Sequence, residues 1–226
     1  MNFVLLGAGK TGSIVAEIAR ERGHQITVVK EAENLNGTWL TPENLKGIDA
    51  VIDFTTPHAV IGNIVHATRA GANMVIGTTG WYEQTAKVKE LVDFHKTGLV
   101  WAPNFSIGVN LFFEIIKSAA KALNYGYAAS IMERHHVHKK DAPSGTAVSI
   151  KKLVEESGHG EVEIASVREG ETVGMHVLML DSDADSILLT HDAKNRRGFA
   201  EGAVRAAEWV AGKKGFYEFK DIFSEL

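Results

Sequence analysis

The chain has 226 residues, 45% of them hydrophobic and 23% charged, with 22 glycines and no cysteine. That length suffices to bury roughly 70% of the surface an unfolded chain would expose, in one large domain or two small ones. A formal net charge of -4 argues against the broad basic face that binding a nucleic-acid backbone requires, and the missing cysteines exclude disulfides, thiolate nucleophiles, thiolate zinc sites and iron–sulfur clusters. The apolar opening Phe3 to Ala8 is short for a signal segment and runs straight into glycines. No window reaches the ~20 apolar residues of a membrane span. The expectation is a soluble cytoplasmic protein with no nucleic-acid and no membrane partner.

Met1 to Leu6 reads as a buried strand, Gly7 to Gly12 as a glycine turn, and Ser13 to Arg22 as a helix with Ile14, Ile18 and Ala19 at helical spacing. Further strands are predicted at Gln25 to Val29, Asp49 to Phe54, Met74 to Ile76 and Gly98 to Trp101, with helices at Pro57 to Ala70 and Tyr82 to His95. Strands alternating with helices at this spacing imply an α/β unit of the Rossmann type, a parallel sheet with helices on both faces. After Asn104 the rhythm changes. A long helix over Ile107 to Leu123, a strand over Ala128 to Arg134, and a helix over Ser144 to Glu156 precede alternating runs at Thr172 to Leu180 and Ser186 to Thr190. Asp181-Ser-Asp-Ala-Asp between those runs has hairpin-turn composition. This half reads as a smaller α+β unit with a mixed sheet. Phe199 to Val210 is a last amphipathic helix, and Gly215-Phe-Tyr-Glu-Phe a final extended piece.

Gly7-x-Gly9-x-x-Gly12 lies after a strand and at a helix entrance, where a dinucleotide cradle needs it. The first Gly permits the tight turn, the second the approach of a pyrophosphate, and the third close helix–strand packing. The backbone of Gly7, Ala8, Gly9, Lys10, Thr11 and Gly12 would then meet the phosphates. Glu31, nineteen residues after Gly12, matches the carboxylate that accepts from ribose hydroxyls, and neighbouring Lys30 would instead suit a 2′-phosphate. NADH and NADPH both remain open on this reading. Gly77-Thr78-Thr79 and Ala102-Pro103-Asn104-Phe105 follow the fourth and fifth strands, at the carboxyl edge where ligands bind in open parallel sheets. The same residues also suit ordinary turns.

Arg134-His-His-Val-His-Lys-Lys140 packs three histidines and two lysines against Asp141-Ala-Pro-Ser-Gly-Thr146. On a strand, His136 and His138 would share a face and His135 the other, a pattern compatible with metal ligation, but Lys139 and Lys140 would repel a dication. Basic side chains beside the free N–H groups of a helix that starts at Pro143 and Ser144 point instead to a small anion carrying more than one carboxylate.

Glu133-x-His-His-x-x-Lys-x-Asp-Ala-Pro-Ser-Gly-Thr-Ala147 resembles the signature of the dihydrodipicolinate reductase family. The resemblance extends to Gly7-Ala-Gly-x-x-Gly12, Asp53-Phe-Thr, Gly77-Thr-Thr-Gly80, Asn104-Phe-Ser-x-Gly108, Arg168-x-Gly-x-x-x-Gly-x-His176 and Phe199-Ala-x-Gly-Ala, so it covers nearly the whole chain. It implies NADH- or NADPH-dependent reduction of 4-hydroxy-tetrahydrodipicolinate in lysine and diaminopimelate biosynthesis. On it, His135 is the proton donor, Lys139 the second catalytic residue, and His136, Gly145 and Thr146 bind a small dicarboxylate substrate. It also implies a nucleotide domain over 1–106 with 195–226 packing back on it, a substrate and assembly domain over 107–194, and a homotetramer built through the sheets of the latter. Met175 stands for a usual Glu, Asp192 for a usual Arg and Glu169 for a usual Gly, and the chain is shortened after Glu31 and near Gly158. The Arg168 to His176 segment is expected to be structural or interface-forming. Two other readings fit fewer of these residues: a reductase of another small dicarboxylate, and a catalytically silent dinucleotide sensor.

Overall fold

The computed structural model describes residues 1–157 and 161–226, so the shortening expected near Gly158 lies outside the described residues. The described chain divides into two compact units, one of residues Met1–Ser106 with Arg197–Leu226 and one of Ile107–Arg196. In chain order the first unit holds β1 (Asn2–Leu6), α1 (Lys10–Glu21), β2 (Gln25–Val29), β3 (Ala50–Asp53), α2 (Val60–Arg69), β4 (Met74–Ile76), α3 (Thr85–His95) and β5 (Gly98–Trp101). The second holds α4 (Ile107–Ala119), β6 (Ala128–His135), α5 (Gly145–Glu155), β7 (Glu163–Arg168), β8 (Gly174–Asp181) and β9 (Ser186–Ala193). The chain then returns to the first unit with α6 (Arg197–Val210), β10 (Gly215–Glu218) and α7 (Phe219–Ile222).

The first unit is a six-stranded parallel sheet in the order β10-β5-β4-β3-β1-β2. A strand covered on both faces must be apolar at every position, and β1 is, from Phe3 to Leu6. Phe3 and Leu5 enter the core beneath α1 and α6, whereas Val4 and Leu6 enter the core beneath α2 and α3. The small residues Ala200, Ala203, Ala206 and Ala207 let α6 lie close to the sheet and α1. Gly202 is part of that fit, because a Cβ there would fall 1.9 Å from the carbonyl oxygen of Phe105. The order of strands reverses between β1 and β3, which opens the crevice at their carboxyl ends.

The second unit carries a four-stranded mixed sheet in the order β7-β6-β8-β9, with β6 and β7 parallel and the other pairs antiparallel. The period of two assigns its faces. Ile131 pairs with Leu178, and Leu178 with Leu189, on the face packed against Phe112, Ile116, Ala147, Ile150 and Val154 of α4 and α5. Met132, Val177, Met179 and Leu188 occupy the other face, where Met179 and Leu188 stay exposed.

Several boundaries differ from the sequence reading. The helix expected to run to Leu123 leaves α geometry after Ala119 and closes as a tighter turn through Tyr125, ending at left-handed Gly126. The first turn of the helix expected from Tyr82 is likewise 3₁₀, and the helix expected from Pro57 begins at Val60. Strand β7 has no counterpart in the expectation, because an edge strand reading Glu-Ile-Ala-Ser-Val-Arg shows no apolar alternation. The final extended piece is β10, a sixth parallel strand beside β5, and Phe219 already belongs to α7.

Candidate active site

In the first unit, the parallel sheet brings the loops after β1, β3, β4 and β5 to one edge. Gly7 holds φ +88°, and a Cβ on it would lie 2.4 Å from the carbonyl oxygen of Phe54. A Cβ on Gly12 would lie 2.0 Å from the carbonyl oxygen of Gly7, so the first helical turn rests directly on the glycine loop. A Cβ on Gly9, by contrast, would meet no protein atom within 4 Å. The turn is therefore closed on its protein side and open at the position where a pyrophosphate approaches. Gly9 caps α1 without a side-chain hydrogen bond, and the first turn holds no acidic residue. Helix-opening N–H groups and the dipole thus face that opening uncompensated, as a dinucleotide requires. Lys10 is exposed and Thr11 half-buried there, and Ser13 Oγ donates to the carbonyls of Ala8 and Gly9. These residues fit a dinucleotide cofactor.

Glu31 is exposed at the start of a single 3₁₀ turn just past β2. Glu33 accepts from the Lys30 N–H and so braces that turn. Gly77 is needed for a different reason: its missing Cβ would fall 2.3 Å from the Phe54 ring. Thr78 is buried with its hydroxyl donating to Asp53, while Thr79 is exposed. Asp53, fully buried at the end of β3, also accepts from the Thr55 N–H, the Thr55 hydroxyl and the Asn63 amide. That network ties the loops after β3 and β4 together. In the last loop Ala102 is buried, Pro103 exposed, and Asn104 accepts from the Ser106 N–H. The Phe105 ring is buried against Phe219, so any contact it makes with a ligand comes through its main chain.

In the second unit, Glu133 and His135 stand two apart on β6 and so point to the same inner face. Glu133, fully buried, accepts from His135 Nδ1 through Oε2, from Arg168 Nη1 at 3.0 Å through Oε2, and from Arg168 Nη2 at 2.8 Å and the Ser144 N–H at 3.3 Å through Oε1. Arg168 reaches it from β7 and also donates to the carbonyl of Asp141. Burial would push the Glu133 carboxyl up, but hydrogen bonds from Arg168, Ser166 and His135 hold it down at about 2. His135 is lowered by its burial, a shift that Glu133 opposes and Lys139 and Arg168 reinforce. His135 Nε2 lies against Gly174, where a Cβ would fall 2.8 Å away.

Beyond His135 the strand ends, so the alternation expected of His136 and His138 does not apply. Residues 136–139 turn instead, with the Lys139 N–H donating to the His136 carbonyl. Lys139 Nζ donates to both carboxylate oxygens of Asp141, at 2.8 and 2.9 Å. Ser144 caps α5 by accepting from the Ala147 N–H, Gly145 is exposed, and Thr146 is half-buried. The Ser144 hydroxyl is 3.0 Å from His176 Nε2. Burial, reinforced by His135 and His191, pushes the His176 imidazole down to about 4, so it is neutral at pH 7 and shares one hydrogen bond with the Ser144 hydroxyl through Nε2.

The Arg168 to His176 segment, expected to be structural or interface-forming, reaches the signature residues: Arg168 bonds to Glu133 and His176 lies against Ser144, while Met175 turns to the opposite face. Sequence reasoning gave no role to Glu133, Arg168 or His176, and read Ser144 only as the start of the anion-binding helix, whereas the structure brings all four together around His135. The available signal was Glu133 two residues before His135, a spacing that fixes a shared strand face.

Comparison with known proteins identifies the family. The family model described as dihydrodipicolinate reductase, N-terminus, matches residues 1–105, and the one described as its C-terminus matches residues 108–223. The chain is 36% identical over 240 residues to the 4-hydroxy-tetrahydrodipicolinate reductase of Christiangramia forsetii, covering 100% of this chain and 99% of that protein. It is 41% identical over 199 residues to the enzyme of that name from Ralstonia pickettii, covering 79% and 75%. Dipicolinate-bound dihydrodipicolinate reductase from Paenisporosarcina sp. TG-14 is similar in structure, with a TM-score of 0.78 at 26% identity over 98% of this chain and 99% of that one. Matched by both family models along nearly its full length, and by a relative at 36% identity across all of it, the chain belongs to the dihydrodipicolinate reductase family.

Proposed function

We propose that this protein reduces 4-hydroxy-tetrahydrodipicolinate to tetrahydrodipicolinate, with NADH or NADPH as reductant, in lysine and diaminopimelate biosynthesis. The observation that carries the reading is one imidazole, His135, held by a buried carboxylate beside the basic mouth of a helix. When bound, reduced nicotinamide supplies a hydride to the conjugated ring of the substrate.

The chain's own residues do the rest. The N–H groups around Gly7, Ala8, Gly9, Lys10, Thr11 and Gly12 bind the pyrophosphate, and Glu31 accepts from ribose hydroxyls. Gly77, Thr78, Thr79 and Ala102 to Phe105 border the nicotinamide end. His135 delivers a proton to the ring carbon adjacent to the one that accepts hydride. Lys139 leaves Asp141 to stabilise the charge that develops on the ring. His136, Gly145 and Thr146 hold the two carboxylates, by charge and by the N–H groups of α5. Residues 1–106 with 195–226 serve as the nucleotide domain and 107–194 as the substrate and assembly domain. Four copies associate through the sheet face bearing Met132, Val177, Met179 and Leu188, and the enzyme works in the cytoplasm.

The test is to mix the protein with freshly generated substrate and NADH or NADPH in turn, following nicotinamide absorbance. Oxidation of the cofactor only when substrate is present is the expected result, and none with either cofactor would overturn the reading. His135→Gln should lower kcat about 10²–10⁴-fold, with nicotinamide affinity unchanged. Wild-type turnover in that variant removes His135 from the acid role.

A further inference from the structure

We propose that Glu133 and Arg168 are positioning residues for the proton transfer: Arg168 fixes the Glu133 carboxylate, and Glu133 fixes His135 by Nδ1 so that Nε2 carries the proton delivered to the substrate. The inference rests on the reading of His135 as the acid.

The geometry is over-determined. Both oxygens of Glu133 are used, one by His135 and Arg168 together and the other by Arg168 and the Ser144 N–H. Arg168 binds as a fork, which sets the plane of the carboxylate as well as its charge. A carboxylate in that plane accepts a proton-bearing Nδ1, so the tautomer is set and Nε2 is left as the reactive nitrogen. Because the same carboxylate also holds the Ser144 N–H, it sets the distance between the acid and the α5 entrance. One residue thus registers the proton donor against the anion site.

Charge supplies the second argument. The groups that face His135 are Glu133 from its own strand, Arg168 from β7, His176 from β8, and Lys139 from the loop after β6. Arg168 and Lys139 oppose a proton on His135, and Asp141 is occupied by Lys139. Among the described residues, Glu133 is the carboxylate bonded to the imidazole and the group that favours its cationic form. In the step itself the Nε2–H bond breaks and its electron pair stays on nitrogen. The proton goes to the ring carbon, whose new C–H bond uses the electron pair displaced there by the incoming hydride. The neutral imidazole keeps its Nδ1 proton on Glu133 and regains the other from solvent.

The experiment uses the full-length protein and compares wild type with Glu133→Gln and Glu133→Asp. Two quantities are read: the pH profile of kcat/KM, and the ¹⁵N NMR titration of the His135 ring, assigned by its loss in His135→Gln. An acid is active when protonated, so activity falls as pH rises through its pKa. Removing the charge at Glu133 should shift that limb, and the His135 titration, about one unit or more to lower pH, with affinity for the nicotinamide unchanged. Glu133→Asp should recover part of the shift. An unmoved His135 titration and pH limb in folded Glu133→Gln overturns the positioning role while leaving His135 as the acid. If Glu133→Gln does not fold, Glu133→Asp decides, and an unmoved limb there overturns it too. Wild-type turnover in His135→Gln instead removes the underlying reading.

Discussion

Two glycines three residues apart should separate folding from cofactor binding. Gly9 has φ −70° and an added methyl group there would meet no protein atom within 4 Å, so Gly9→Ala strains nothing. The small loss of a favoured cap residue and the reduced freedom of the unfolded chain roughly cancel, leaving stability within about 1 kcal/mol of wild type. The methyl does stand where a pyrophosphate would approach. Losing one hydrogen bond to a charged group costs about 1.5–3 kcal/mol, which weakens nicotinamide binding about 10- to 150-fold. Gly12→Ala is the opposite case, because its methyl would sit 2.0 Å from the Gly7 carbonyl oxygen and neither backbone can yield cheaply. Overpacking of that kind costs about 1–3 kcal/mol or more, or roughly 2–12 °C in Tm for a chain of this size. Thermal unfolding and calorimetric titration with NADH and NADPH measure both quantities. A folded Gly9→Ala protein that binds both cofactors with unchanged affinity would refute the cradle.

Three further outcomes follow from the second unit. Arg168→Leu removes both guanidinium hydrogen bonds and the counter-charge from the fully buried Glu133, leaving it His135, Ser166 and the Ser144 N–H, so stability should fall by about 3–5 kcal/mol, and an unchanged Tm would show that the pair contributes nothing net. His176 titrates near 4 in the folded protein and near 6.5 when unfolded, so the unfolded chain binds more protons between those values and stability must drop as pH falls from 6.5 to 4. The size is about 3 kcal/mol, and urea unfolding of His176→Gln across that window should show a flatter profile. Lys139→Ala should weaken binding of a planar dicarboxylate such as dipicolinate about tenfold or more, and equal affinity by calorimetry would count against the anion pocket.

Much of the nucleotide-binding unit was legible in the chain because its information is local. An unbroken apolar run means a strand buried on both faces, and glycines at positions 7, 9 and 12 state where the backbone must turn, open and pack. The local structure of the signature from Glu133 to Ala147 was legible for the same reason, since a strand end, a basic turn and a helix cap follow one another directly. Arg168 did not announce itself. It lies thirty-five residues from Glu133 on an edge strand without periodic apolar positions, and only parallel pairing of β7 with β6 brings its guanidinium to the carboxylate. His176 and Ser144, and β10 beside β5, meet in the same non-local way. Periodicity records which face of an element is buried. Which elements become neighbours is decided by whether each buried carboxylate, cap and strand edge finds its partner, and that requirement is met only once the sheets are assembled.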